Sequence, residues 1–299
     1  MGKLPLQPAA NLSEYGCLSR LLVPLRRKGT FMTQPTPITL TIAGSDSGGG
    51  AGIQADIKAI SATGSYACSV ITATTAQNTL GVMDVHPIPV AHVAAQLDAV
   101  FSDLEVRAVK IGMLADANII KVVADKLRYY RPSFVVLDPV MVATSGDLLL
   151  QQEAIQTMRS ELFPLVDLIT PNLPEAATLL NRETPLTEAE ALTMVDELKR
   201  FPAAILLKGG HLVTEQESKD WLIRETQVQV FSSPRIATKN THGTGCTLSA
   251  AIASFLAQGL ALEDAIARAK GYLSQAIAYA DTLQIGKGHG PVHHFYKLF

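Results

Sequence analysis

Ile38-Thr39-Leu40-Thr41-Ile42-Ala43-Gly44-Ser45-Asp46-Ser47-Gly48-Gly49-Gly50-Ala51-Gly52-Ile53 carries a strand, a loop and the start of a helix in one short run. The β-branched residues up to Ile42 suit a pleated strand. Ile53, Ile57 and Ile60 then recur at helical spacing and share one face. Between the two lie Gly44, Gly48, Gly49, Gly50 and Gly52, more glycine than a strand-to-helix turn needs. Such a loop lets the backbone approach a small ligand closely. It lacks the Gly-Lys-Ser/Thr ending of a P-loop. Gly50-x-Gly52-x-x-Ala55 partly matches a dinucleotide fingerprint. The second strand, however, runs into Thr74-Thr75-Ala76-Gln77, without the acid that would hold a ribose.

The same alternation continues outward. Residues 69–73, 81–86, 106–111, 134–137, 165–170 and 203–207 predict further strands, with two more around 221–224 and 227–231. Apolar stripes at helical spacing fall between them: Val93, Leu97 and Val100, then Ile119, Ile120, Val123 and Leu127. Thr187-Glu188-Ala189-Glu190 reads as a capping box, and Asn172-Leu173-Pro174-Glu175 as a Pro-bracketed loop after a strand. Two striped helices close the chain, through Leu248, Ile252 and Phe255 and through Ile266, Ala269, Leu273 and Ile277. Strand–helix alternation with short loops predicts an α/β fold: a mainly parallel central sheet flanked by helices on both faces. Ligands of such sheets bind beyond the carboxyl ends of the strands. Asp46, Gln77, Gly112, Asp138, Asn172 and Lys208 all fall at those ends.

Asn240-Thr241-His242-Gly243-Thr244-Gly245-Cys246-Thr247 opens the first closing helix. Its glycines, the unpaired N–H groups of a helix start and the positive end of the helix dipole together make a site for phosphate. Lys208-Gly209-Gly210 offers a second anion-friendly turn at another strand end. Two such sites on one sheet edge suit a polyphosphate. Asp138 and Glu175 supply hard oxygens suited to Mg2+, directly or through water. His242 reads as loop-shaping, whereas His289, His293 and His294 read as surface or packing residues. Cys68, beside an apolar strand, reads as a small hydrophobe.

Composition narrows the field. A chain of 299 residues with 47% hydrophobic content buries a sizeable core, and its net charge of −2 excludes a whole-chain basic field for nucleic acid. Three cysteines without a C-x-x-C pair argue against a disulfide framework or cysteine zinc site and fit a reducing, cytoplasmic setting. No apolar run reaches membrane-spanning length. Residues 1–31 hold Arg20, Arg26, Arg27 and Lys28 against Glu14 alone and lack a secretory apolar region. They are expected to be a disordered extension before a single domain over 32–299.

As an ordered set, the glycine loop through Asp56, Ala76-Gln77-Asn78, Lys110-Ile111-Gly112-Met113-Leu114, residues 169–176, Lys208-Gly209-Gly210-His211 and residues 241–247 resemble the ribokinase superfamily. Within it they resemble the hydroxymethylpyrimidine/phosphomethylpyrimidine kinases of thiamine biosynthesis. The resemblance implies a ribokinase-like fold, MgATP as phosphoryl donor, and 4-amino-5-hydroxymethyl-2-methylpyrimidine and then its monophosphate as acceptors. It implies that Gln77 reads the ring, with Asp56, Ala51, Met113 and Val140 completing the substrate pocket. Gly243, Thr244, Gly245 and Cys246 would form the anion hole, Asp138 and Glu175 would manage Mg2+, and Lys208 and Asn172 would face ATP. A homodimer is the assembly the family suggests. Pyridoxal or pyridoxine kinase, an ordinary sugar kinase and a non-catalytic pyrimidine sensor are the competing readings. Many sugar-kinase relatives carry aspartate where this chain has Cys246. A carboxylate there would repel a phosphorylated acceptor by about 4 kcal/mol at ~4 Å and an effective dielectric constant of ~20, which a neutral thiol avoids. The helix start is also expected to lower the thiol pKa and leave some thiolate as a base.

Overall fold

The computed structural model describes residues 35–141, 151–212 and 216–298. Among them the strands are β1 (Ile38–Asp46), β2 (Tyr66–Asn78), β3 (Gly81–Pro87), β4 (Val106–Ile111), β5 (Phe134–Leu137), β6 (Leu168–Ile169), β7 (Ala204–Lys208), β8 (Glu217–Ile223) and β9 (Val228–Pro234). They form one sheet in the order β3-β2-β1-β4-β5-β6-β7-β8-β9. The interior from β2 to β7 is parallel, while β3, β8 and β9 pair antiparallel at the two edges. The sheet is therefore mixed, with a parallel interior as the strand–helix alternation requires.

The helices are α1 (Gly52–Ala62), α2 (Val90–Phe101), α3 (Ala117–Tyr130), α4 (Gln152–Thr157), α5 (Leu173–Leu180), α6 (Glu188–Leu192), α7 (Val195–Leu198), α8 (Thr244–Ala257) and α9 (Leu262–Ala278). They cover both faces. Leu40, Val109 and Leu137 pack on the side of α2 and α3, and Ala108, Val136 and Leu206 on the side of α1, α8 and α9. Neighbouring residues of β4 and β5 thus enter opposite cores, so these strands read as near-continuous apolar runs. One buried break interrupts the run: Lys110 lies in β4 on the α1–α8 side, with no exposed surface.

Three local expectations change. The strand expected over 165–170 shrinks to Leu168–Ile169, because Phe163–Leu165 is a 3-10 turn containing Pro164. The expected loop at Asn172 is the start of α5. Asn172 caps it by accepting from Glu175 N, and the Glu175 carboxylate accepts from Asn172 N, both at 2.8 Å. The capping box at Thr187 forms as read, but its helix divides into α6 and α7. Thr36–Phe299 makes one contact unit; the extension expected over 1–31 lies outside the described residues.

Candidate active site

The carboxyl ends of β1, β2, β4, β5 and β7 open onto one cavity of about 650 Å3. Asp46, at the end of β1, shapes its first wall. Its Oδ1 accepts from Gly48 N at 2.8 Å, and its Oδ2 from Gly50 N at 3.0 Å and Ala51 N at 2.8 Å. His242 Nε2 lies 2.9 Å from the same Oδ2. Burial alone would raise this carboxyl, but the His242 bond and the loop amides outweigh it and hold the group below its ordinary range. The glycine loop is therefore wound around a buried carboxylate, and His242 ties it to the loop that opens α8. His242 keeps the loop-shaping part expected of it.

Ala51, Gln77, Met113 and Val140 all line the cavity. Met113 lies against Gly44, where a Cβ would come within 2.5 Å of its methyl group. Asp56 requires a correction. It does not reach the cavity: its place in α1 turns it toward the sheet, where it is fully buried. There it takes both oxygens to Lys110 Nζ, at 2.9 and 2.8 Å, and accepts from Thr41 Oγ1 at 2.6 Å. Burial disfavours the Lys110 ammonium, but the acidic neighbours, Asp56 first among them, together outweigh it and raise the group. A lone lysine inside an apolar strand was a readable signal, since an unpaired buried charge is prohibitively costly. Its partner was not readable, because 54 residues separate the two.

Gly243 is the N-cap of α8, with φ 78°. A Cβ there would come within 1.9 Å of the Gly50 carbonyl oxygen, so the two glycine-rich loops touch backbone to backbone. Thr247 fastens the turn: its amide and its hydroxyl both donate to Gly243 O, at 2.9 and 2.8 Å. With its hydrogen committed, Thr247 Oγ1 accepts from His294 Nε2 at 3.0 Å. Burial pushes His294 down to about 3, so it braces the turn as a neutral ring. Gly245 and Cys246, in the first turn of α8, have N–H groups with no acceptor inside the helix, and both residues line the cavity.

The expectation of a lowered Cys246 thiol fails. Burial pushes it up to about 11, and Asp56 and Asp138 add to that, against the opposing pull of Lys110 and the Gly52 amide. Desolvation wins over the helix end, and the thiol is neutral near pH 7. The argument from avoided repulsion stands on that neutrality; the argument from residual thiolate does not.

Asp138, Glu175, Lys208 and Asn172 meet at the next wall. Lys208 Nζ lies 2.8 Å from Asp138 Oδ1, which also accepts from Thr170 Oγ1 at 3.1 Å, while Asp138 Oδ2 faces Ser249 Oγ at 3.3 Å. Burial would raise Asp138, but Lys208 and Lys110 hold it low. Burial raises Glu175 to about 7, with Lys208 opposing and Asp138 reinforcing. One Glu175 oxygen and the Asn172 carbonyl are already engaged in the α5 cap, a double use that the Asn-x-x-Glu spacing signals. Beyond Lys208, Gly209 N donates to Asp220 Oδ1 at 3.1 Å, and Asp220 Oδ2 pairs with Lys270 Nζ at 2.6 Å. Trp221 packs under the same turn, 2.7 Å from where a Gly209 Cβ would stand. Nothing local in the sequence links Asp220 to Lys270.

Residues 46–293 match the family described as phosphomethylpyrimidine kinase. The hydroxymethylpyrimidine/phosphomethylpyrimidine kinase of Escherichia coli (strain K12) is 55% identical over 258 residues, 86% of this chain and 97% of that protein. A crystal structure of phosphomethylpyrimidine kinase from Clostridium difficile 630 superposes with a TM-score of 0.69 at 42% identity, covering 80% of this chain and 99% of that one. An ADP complex of Bacillus subtilis pyridoxal kinase reaches 0.80 at 33% identity, covering 87% and 97%. A glycine loop wound on Asp46, the α8 turn locked against it and a lysine at the end of β7 thus sit within a match spanning most of the chain, and the chain belongs to the phosphomethylpyrimidine kinase family of ribokinase-like proteins.

Proposed function

We propose that this chain is an ATP-dependent kinase that phosphorylates 4-amino-5-hydroxymethyl-2-methylpyrimidine and then its monophosphate, in thiamine biosynthesis. The observation that carries the reading is convergence. The α8 start, Lys208 and Gln77 line one cavity, so an anion grip, a cation and a planar amide face the same space. Gln77 donates and accepts in one plane, as an aminopyrimidine edge requires. Lys208 approaches the nucleotide phosphates, and the first-turn amides of α8 hold the phosphoryl group in flight. In the first step the acceptor hydroxyl oxygen bonds to the γ-phosphorus, the bridging oxygen leaves with ADP, and the hydroxyl proton passes late to an oxygen of the transferred phosphoryl group. A loose transition state needs placement more than a strong base, which accords with a thiol held at about 11.

Asp138 and Glu175 fit a cation carried in on the nucleotide. They offer hard oxygens on one wall, and Lys208 already balances one of them. Among the described residues no group of three or more acidic, histidine or cysteine side chains forms a cage of its own. Bound there with ATP, Mg2+ would neutralise charge on the phosphate oxygens. A cytoplasmic homodimer is the state proposed for the active protein; among the described residues no helix is long and apolar enough to cross a membrane.

A coupled assay of pyrimidine-dependent ATP consumption, with mass spectrometry of the product, tests the reading. Mono- and then diphosphate should accumulate. Without pyrimidine-dependent turnover, the sensor reading takes its place. Gln77→Ala should weaken pyrimidine binding at least about tenfold more than ATP binding by calorimetry, and equal losses would remove Gln77 from the ring pocket. Cys246→Asp should depress the second phosphorylation more than the first, since only the second acceptor is an anion. Equal losses in the two steps would end the repulsion argument. The closer superposition on a pyridoxal kinase favours one further reading, a side activity on pyridoxal. Side-by-side turnover of the two rings decides it.

A further inference from the structure

The Gln77 amide lies between two neighbours, His242 and Thr75, that together fix which of its ends is the oxygen. Its Nε2 stands 3.4 Å from His242 Nε2. That histidine nitrogen lies 2.9 Å from Asp46 Oδ2, which also takes the amides of Gly50 and Ala51. An ionised carboxylate accepts only, so His242 Nε2 carries its hydrogen. Two N–H groups then face each other across the Gln77–His242 contact. On the other side, Thr75 Oγ1 lies 3.0 Å from Ser45 O and 3.0 Å from Gln77 Oε1. One hydroxyl hydrogen serves one of these. The Ser45 carbonyl has no hydrogen to give, so the hydroxyl donates there and turns lone pairs to Gln77, where an amide N–H is wanted.

We propose that the Asp46–His242 pair fixes the Gln77 amide with its oxygen toward His242 and its nitrogen toward Thr75, and that this order decides which way round the pyrimidine is held. The inference rests on the pyrimidine reading above and deepens it. An amide and an amidine-like ring edge pair in only one sense: the exocyclic amino group against Oε1, the adjacent ring nitrogen against Nε2. Along that edge the atoms run ring nitrogen, amino group, hydroxymethyl group. Placing the amino group on the His242 side therefore carries the hydroxymethyl group toward Gly243 and Cys246, where the phosphoryl group is received. The opposite amide order would hold the acceptor hydroxyl away from that turn. His242 acts through Gln77, as a positioning residue, and is next in sequence to the anion turn it serves. The 4-oxo analogue of the substrate, with N–H and C=O exchanged along the edge, is the sensitive probe. To satisfy the fixed amide it must turn over and lose its productive place.

The test is kcat/KM for the 4-amino and 4-oxo compounds in the wild type, His242→Ala and His242→Phe. The wild type should prefer the amino compound at least about 100-fold, because a mispaired buried edge is rejected strongly. Both variants should narrow that ratio at least about tenfold, with KM for ATP unmoved; phenylalanine keeps the ring shape against Gly50 but lacks the N–H. Turnover with an unchanged ratio, or a wild-type preference for the oxo compound, overturns the role of His242 while leaving the kinase reading intact. Absence of any phosphorylation of the amino compound removes the kinase reading itself. Should the variants fail to fold, the wild type decides. Nuclear Overhauser contacts from the Gln77 Nε2 protons should reach the Thr75 side chain and miss the His242 ring, and the reverse pattern overturns the proposal.

Discussion

Gly243→Ala should lower kcat/KM for either acceptor by about 100- to 1,000-fold. The position has φ 78°, which disfavours any side chain, and the added methyl carbon would sit 1.9 Å from the Gly50 carbonyl oxygen. Neither partner can yield cheaply. Gly50 is held by the Asp46 carboxylate, and Gly243 is clamped through Thr247 and His294. The start of α8 must shift, and the amides of Gly245 and Cys246 shift with it. Losing one well-aimed donor at a developing charge already costs 100- to 1,000-fold in other enzymes. Steady-state kinetics, with Gly271→Ala as control, checks this: a Cβ at Gly271 meets nothing within 4 Å. A loss below tenfold would mean that the amides do not grip the transferred group.

Lys110→Met should destabilise the fold by about 3–5 kcal/mol, because it leaves the Asp56 carboxylate buried without its cation. Lys110 and Asp56 are each fully buried and lie 2.8 Å apart. Thr41 remains as a single neutral donor to Asp56. The double change Lys110→Met with Asp56→Leu should recover most of the loss, since an apolar pair of similar volume needs no compensation. Urea unfolding of the three proteins measures it. A single-variant loss under about 1 kcal/mol would show that the carboxylate finds other relief. Lys110 lies at the cavity end of the sheet, and Gly112 is confined by it: a Cβ there would approach Lys110 Nζ to 2.8 Å.

Much of this arrangement is legible from local pattern. A continuous apolar run announces strands such as Phe134–Leu137, whose residues enter two cores in turn, and the glycine excess before Gly52 announces a loop folded close on something. What local pattern misses is set by distance or competition. Asp56 lies one helical turn beyond the cavity-lining Ala51 and Gly52, but only its partner in β4 reveals that it points inward. The Cys246 thiol sits at a helix start, which lowers a pKa, inside a cavity wall, which raises it; the sequence names the first effect and leaves the second to the fold. Asn172 and Glu175 look like ligand groups in a loop because each is polar and near a strand end. Their three-residue spacing equally describes a helix cap, and the structure has them do that while still facing the cavity.

Trp221 is the sole tryptophan of the sequence, and it lies packed beneath the Gly209 turn, 2% exposed. Ultraviolet emission from the indole therefore originates at one spot, a residue away from Asp220 and directly under the turn that follows Lys208. Any occupant that presses on that turn changes the surroundings of a single fluorophore. The chain thus contains its own optical gauge for the Lys208 end of the cavity, needing neither label nor substitution.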